Sequence, residues 1–373
     1  MGLRFLVAIL TLLWYFIRVE KILNFIKTYL ENSKVAVKSP VFWVRFTAYA
    51  IPLAFLLYVL YWNFLPFGYN ETFTINVGSS NDTSGEFYLE PSKNLSERKT
   101  APDGTTYREL NGMATAVFKP KAVLKNAKIT VEVMGSGVSL IPPVIDFDPN
   151  SIKWDYSWDF TKSIPKDLIG DAFVFDGATY FDGKSKLELP NSANMFENGP
   201  FSVYVEWTPK DSEHDLQEIA GHFNWELLQN KNSVIFQVGR MNADKGLFYS
   251  LSYPINKEFF NAKHSALAIY NSSENGYIDL FVDGNFAGRK YFGIDKIWKD
   301  YGGSQANLSF GQWSKDTSFF KGDLYKANII GKNILINKSK INFITKGNSE
   351  LNISIVSNTI STLNQLKLNA VQR

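Results

Sequence analysis

Cysteine is absent from the 373 residues. That removes disulfide frameworks, Cys-ligated zinc, iron–sulfur clusters and thiol nucleophiles together. Histidine is nearly absent. His214, His222 and His264 are the only three, and they show no HExxH or paired-ligand spacing. Proline and glycine, 14 and 25 residues, are too few for collagen-like or proline-rich linker architectures. A net charge of +3 leaves no nucleic-acid footprint. No G-x-S-x-G or G-x-x-x-x-G-K-[ST] run occurs, so serine-hydrolase and P-loop chemistry have no support. What abounds is aromatic: 30 Phe, 18 Tyr and 9 Trp. The composition is globular, and the length predicts two or three folded units.

The charge is uneven. Up to residue 45 the bases are Arg4, Arg18, Lys21, Lys27, Lys34, Lys38 and Arg45, and the acids are Glu20 and Glu31. The stretch Phe46 to Phe67 then carries no charge over 22 residues. As a helix it is about 33 Å long, enough to cross a hydrocarbon core of about 30 Å. Pro52 is tolerable in such a helix, and Tyr58, Tyr61 and Trp62 lie toward its exit end, where aromatic rings favour the interface. An earlier run, Phe5 to Ile17, is shorter and sits between Arg4 and Arg18. Beyond it Val19, Ile22, Leu23, Ile26, Tyr29 and Leu30 share one helical face. This segment therefore spans, lies along the bilayer surface or is cleaved as a signal. Six Lys and Arg from Arg18 to Arg45 predict a cytoplasmic side there, and an extracellular side for everything after Phe67. The localisation expected is the cell membrane, with an extracellular ectodomain.

From Asn70 the pattern becomes short alternating runs between turn residues. Phe73 to Val77 alternates, and so does Ile129 to Val133. Pro142-Pro143 and Asp148-Pro149 punctuate the chain. Further strands are predicted at 173–175, 186–189, 201–207, 233–238, 248–252, 265–270, 277–282, 307–310 and 323–330. Asp283-Gly284 between two of them is a hairpin signal. The division predicted is a membrane anchor at 1–69, with helices at 3–31 and 46–67. A small β domain at 70–150, an antiparallel sandwich at 151–335 and C-terminal strands or tail at 336–373 follow. The fold class is an all-β ectodomain, a jelly-roll sandwich plus a smaller β domain, behind an α-helical membrane anchor.

Five runs in order carry a resemblance. They are Phe181-Asp182-Gly183-x-Ser185-x-Leu187-x-Leu189-Pro190, Phe201 to Pro209, His264 to Tyr270, Tyr277 to Gly284 and Phe320 to Ala327. Together, over about 170–335, they resemble a LamG-like jelly roll of the concanavalin A-like lectin/glucanase superfamily. The Trp-His pair usual before the third run is missing. The resemblance implies extracellular recognition of sugars or proteins, sometimes with calcium, and carries no particular ligand.

Within that frame the function expected is non-catalytic binding of a glycan or surface protein. The alternatives are a concanavalin-type glycoside hydrolase and a structural component of a surface assembly. No catalytic residue is assigned. Ligand-binding candidates are the late aromatics Trp298, Tyr301, Trp313 and Phe319, whose flat rings can stack on sugars. Phe320 is read as a core plug, and Trp154 to Trp158 as interdomain packing. No cofactor is required. Calcium is left open through the turn aspartates Asp176, Asp182, Asp283 and Asp316. The run Glu213-His214-Asp215-Leu216-Gln217-Glu218 has the form E-x-D-x-x-E, which glucanases of that superfamily place on a strand. Here it follows Thr208-Pro209-Lys210-Asp211-Ser212 and is read as a solvated acidic loop. Glu213, Asp215 and Glu218 are accordingly expected to be dispensable. Seven N-x-[ST] sequons, Asn307 among them, permit N-glycosylation.

Overall fold

The structure is a computed structural model. It describes residues 69–372 apart from 80–81, 194, 196–198, 211–214, 223, 243–244, 273–275, 294–295, 298–306 and 313–317. The helices expected at 3–31 and 46–67 lie outside the described residues. Within the described residues no helix is long and apolar enough to cross a membrane. The chain divides into two compact units, Met1–Phe67 and Gly68–Arg373, and in the second, described by itself, the sheets of the described residues are built from antiparallel strand pairs.

Its first sheet has nine strands and joins the two ends of the unit. The 21-residue strand Leu351–Val371 is its backbone. That strand pairs with Asn70–Asn76, Thr106–Leu110, Met113–Phe118 and Leu124–Ile141, and Lys340–Asn348 pairs with Leu124–Ile141 from the other side. Alternation explains the register: Phe73 and Ile75, Ile129 and Val131, Ile341 and Phe343, and Leu366 and Leu368 all turn into one core. The C-terminal residues are thus integral to the sheet that starts at Asn70.

Residues 156 to 330 form a two-sheet sandwich. In one sheet the order runs Phe173–Phe175, Ala178–Asp182, Lys321–Ile330, Phe201–Pro209, His264–Asn271, Gly276–Val282, Asn285–Gly293, with Tyr156–Asp159 added beside Lys321–Ile330. In the other it runs Lys245–Pro254, Ser233–Asn242, Trp225–Asn230, Leu216–His222, Ser309–Phe310, Leu187–Glu188, Ile169–Gly170. Inward residues of both sheets make one core, including Phe201, Val203, Trp207, Ile219, Trp225, Leu227, Phe236, Phe310 and Phe320. Trp207 Nε1 donates to Gln229 Oε1 at 2.9 Å inside it, so the indole buries no orphan donor. The Asp283-Gly284 hairpin is present, with φ of +50° and +75°, the left-handed pair a type I′ turn requires.

The outer faces of the two sheets differ. On the first, Tyr204, Leu267, Ile269 and Phe281 pack against Ile141, Val356 and the linker residues Ile145, Phe147 and Trp154. Tyr291 adds a polar tie, its hydroxyl donating to Gly112 O at 3.2 Å and Ser357 O at 3.1 Å. We call this the packed sheet. The second we call the open sheet. The pair Trp154 and Trp158 divides: Trp154 lies in this packing layer, whereas Trp158 is in the sandwich core against Phe310.

One expectation fails here. The acidic run is not a loop to its end. Asp215 is exposed, but the strand Leu216–His222 begins directly after it, and Trp225–Asn230 returns beside it. Glu218 is 0% exposed. The strand was hidden because its register shifts between Glu218 and Ala220. That bulge turns Ile219 and Ala220 both into the core and breaks the alternation that marks a strand.

Candidate functional site

The open sheet's outer face is built by alternation. Trp225, Leu227 and Gln229 point inward, so Glu226 and Leu228 point outward. Cross-strand register then sets a row: Ser309 lies opposite Gly221, Gly221 opposite Glu226, Glu226 opposite Gln237 and Gln237 opposite Ser250. Five strands thereby put a hydroxyl, a glycine, a carboxyl, an amide and a hydroxyl side by side. Gln237 Nε2 donates to Glu226 Oε2, and Ser250 Oγ donates to Gln237 Oε1 at 3.3 Å. At the far side Asn307 Nδ2 donates to Glu188 Oε1 at 2.7 Å. That bond and one from Ser192 N–H to Asn307 Oδ1 at 2.9 Å occupy the amide of this sequon. The row deepens from edge to centre. Phe248 and Ser252 are exposed, Gln237 and Ser250 half-buried, and Glu226 is 8% exposed.

Glu218 shares this face. A Cβ on Gly221 would collide with Glu218 Oε1, so the glycine is what lets the carboxyl fold back along its own strand. Neither oxygen of Glu218 has a hydrogen-bond partner. Burial pushes its carboxyl well above the usual range, and the nearby Glu226 charge pushes it further, against a smaller opposing effect of Ser309. Burial also raises Glu226, opposed by the Gln237 bond. The Glu218 N–H donates to Ser318 O at 2.9 Å, and Glu218 bridges Phe319 in parallel.

The sequence-predicted residues fare unevenly. Phe319 comes beside Glu218 and is half-buried. Trp298, Tyr301, Trp313, Asp316 and Glu213 lie outside the described residues. Phe320 is in the core, against Phe181 at 5.8 Å. Asp176 is exposed in a turn at φ +49°. Asp182 Oδ1 accepts from Lys184 N, Ser185 N and Ser185 Oγ and so caps its own turn. Asp283 accepts from Ser265 N and faces His264 Nδ1 at 2.6 Å. Among the described residues no group of three or more His, Asp or Glu gathers for a metal. A cleft of about 470 Å³ beside Asp283 is lined by Tyr253, Asn256, Glu258, Phe259 and His264. His264 is committed there to Asp283 and to Phe259 O at 2.7 Å, stacked on the Phe259 ring.

Sequence reasoning missed Glu218 and Glu226 as a pair. The available signal was Trp225-Glu226-Leu227-Leu228-Gln229, a strand-like run seven residues after Glu218, with Gly221 between.

No family model matches the chain, and no curated protein matches it. Among solved structures, similarity is found to the CBM40 domain of the Ruminococcus gnavus IT-sialidase bound to α2,3-sialyllactose. Identity is 11% and the TM-score 0.35, over 49% of this chain and 96% of that one. The NanB sialidase of Streptococcus pneumoniae (K499G mutant) matches at 14% identity and a TM-score of 0.33, over 45% of this chain and 26% of that one. The botulinum neurotoxin type G receptor-binding domain matches at 14% and 0.32, over 54% and 49%. Likeness at this level assigns no ligand to this chain.

Proposed function

We propose that this chain is a membrane-anchored extracellular protein whose LamG-like sandwich recognises a glycan or a surface protein without altering it. The observation that carries the reading is the polar row on the open sheet. Amide, carboxyl and hydroxyl groups converge there over an apolar core, with the exposed Phe248 at the edge. Few, fixed polar groups beside an apolar ring are what a site for hydroxyl-rich ligands needs. The opposite sheet has its outer face occupied by the first β domain, and on this sheet the row reaches solvent at its Phe248 and Ser252 edge. The uncharged span at 46–67 and its basic flank support anchoring with residues beyond 70 outside the cell. The test is a glycan array on the full-length chain, with and without calcium, repeated on Gln237→Ala and Ser250→Ala. Binding lost by about tenfold or more in both variants supports the reading; binding unchanged in both removes it. Protease shaving of intact cells that left residues beyond 70 untouched would defeat the topology.

A second reading, a glycoside hydrolase, is favoured by one observation: two carboxyls on one face, both pushed up, as a general acid requires. Cleavage of a β-glucan by the parent, lost in Glu218→Gln, would replace the binding reading with this one.

A further inference from the structure

We propose that Glu218 and Glu226 form a site for a hard divalent cation, separate from the turn aspartates. The two carboxyls come from adjacent strands on one face of the open sheet, and Gly221 makes room for the first of them. Both oxygens of Glu218 are enclosed without a well-formed hydrogen bond, and the Ser309 hydroxyl is the one polar side chain that acts on them. Of Glu226, one oxygen accepts from Gln237. Ser309 is placed on the same row, opposite Gly221. The donor set is thus all oxygen, the chemistry of calcium, magnesium or manganese rather than of soft metals. No Lys, Arg or His among the described residues forms an ion pair with either carboxyl.

Two neighbouring carboxyls without a counter-charge are costly to bury. A proton on one relieves the repulsion and leaves its oxygens idle. A divalent cation neutralises both and uses the oxygens that stand free. The inference is independent of the glycan reading: the array reads the face, and the titration below reads the pair.

The experiment uses the full-length chain in mild detergent, stripped with chelator. Terbium is added first, with emission excited through tryptophan, and then displaced by calcium and by magnesium; melting is followed in parallel. The proposal expects saturable one-to-one emission, displacement by calcium or magnesium, and a rise in Tm on cation addition. Affinity should fall tenfold or more in both Glu218→Gln and Glu226→Gln, while Asp182→Asn binds as the parent does. Should one Gln variant not fold, as judged by near-UV circular dichroism, the other decides. Parent-like affinity in the Gln variants would place the cation elsewhere and overturn the proposal. So would the absence of binding up to about 1 mM, the weak end for extracellular sites, which would leave a proton as the pair's only occupant.

Discussion

Two buried carboxyl groups in the same sandwich have opposite surroundings. Asp279, on the packed sheet, is held by Arg289 through two bonds, Nε to Oδ1 at 2.7 Å and Nη2 to Oδ2 at 2.6 Å. The guanidinium also lies 3.4 Å over the Tyr277 ring. Burial pushes the Asp279 carboxyl up and Arg289 pulls it back. Glu218, on the open sheet, has no such partner. The first arrangement is what structure requires of a buried charge: pairing, bidentate geometry and a stacked ring. Arg289 Nη1 is also left without a hydrogen bond, so what separates the second site is that its buried carboxyl has no counter-charge. Charge is paired where the sandwich meets the first β domain, and the buried carboxyl of the other sheet has no cation beside it among the described residues.

The sharpest way to break this contrast is to make the first site like the second. Arg289→Ala strands Asp279 in the packed sheet and should cost about 3–5 kcal/mol by urea unfolding. A loss below about 1 kcal/mol would mean that the pair is not holding the sheet. Next comes the steric support of the second site. Gly221→Ala should displace the Glu218 side chain and cost about 1–3 kcal/mol. The same change made together with Glu218→Ala should cost clearly less, because the two clash directly. Smaller is the tie between the sandwich and the first β domain. Tyr291→Phe removes one donor shared by two carbonyls and should cost about 1 kcal/mol. Least is Asp215→Asn, an exposed residue at the strand's start, expected within about 0.5 kcal/mol of the parent.

Most of the sandwich was legible because its strands are short apolar or alternating runs set between turn residues. Phe201 to Trp207, His264 to Tyr270 and Tyr277 to Val282 read directly, and Asp283-Gly284 announced its own turn. The acidic run was not legible, for a physical reason. Sequence reading treats Gln217 and Glu218 as solvent-seeking, yet Gln217 Oε1 accepts from Lys321 N at 2.9 Å and Glu218 is folded over a glycine. A bulge then places two successive residues on one side. The C-terminal strand was under-read likewise: Leu351–Val371 keeps alternation only in pieces, because its register shifts between Ser357 and Thr362 and again between Leu363 and Gln365. Long-range pairing of that kind leaves little local trace.

The central claim is that Glu218 is a buried carboxyl without a counter-charge. Its folded pKa is raised, and Glu226 is the one charged neighbour among the described residues that acts on it. The folded state therefore holds a proton that the unfolded chain releases near the ordinary value of 4.5. Stability from this group is fully present below about pH 4.5 and is lost as pH rises toward the folded pKa, at up to about 1.4 kcal/mol per pH unit. The direct measurement is unfolding free energy from pH 4.5 to 8, in chelator, for the parent and Glu218→Gln. The account predicts that the parent weakens relative to the Gln variant as pH rises. Parallel curves across that range would contradict it.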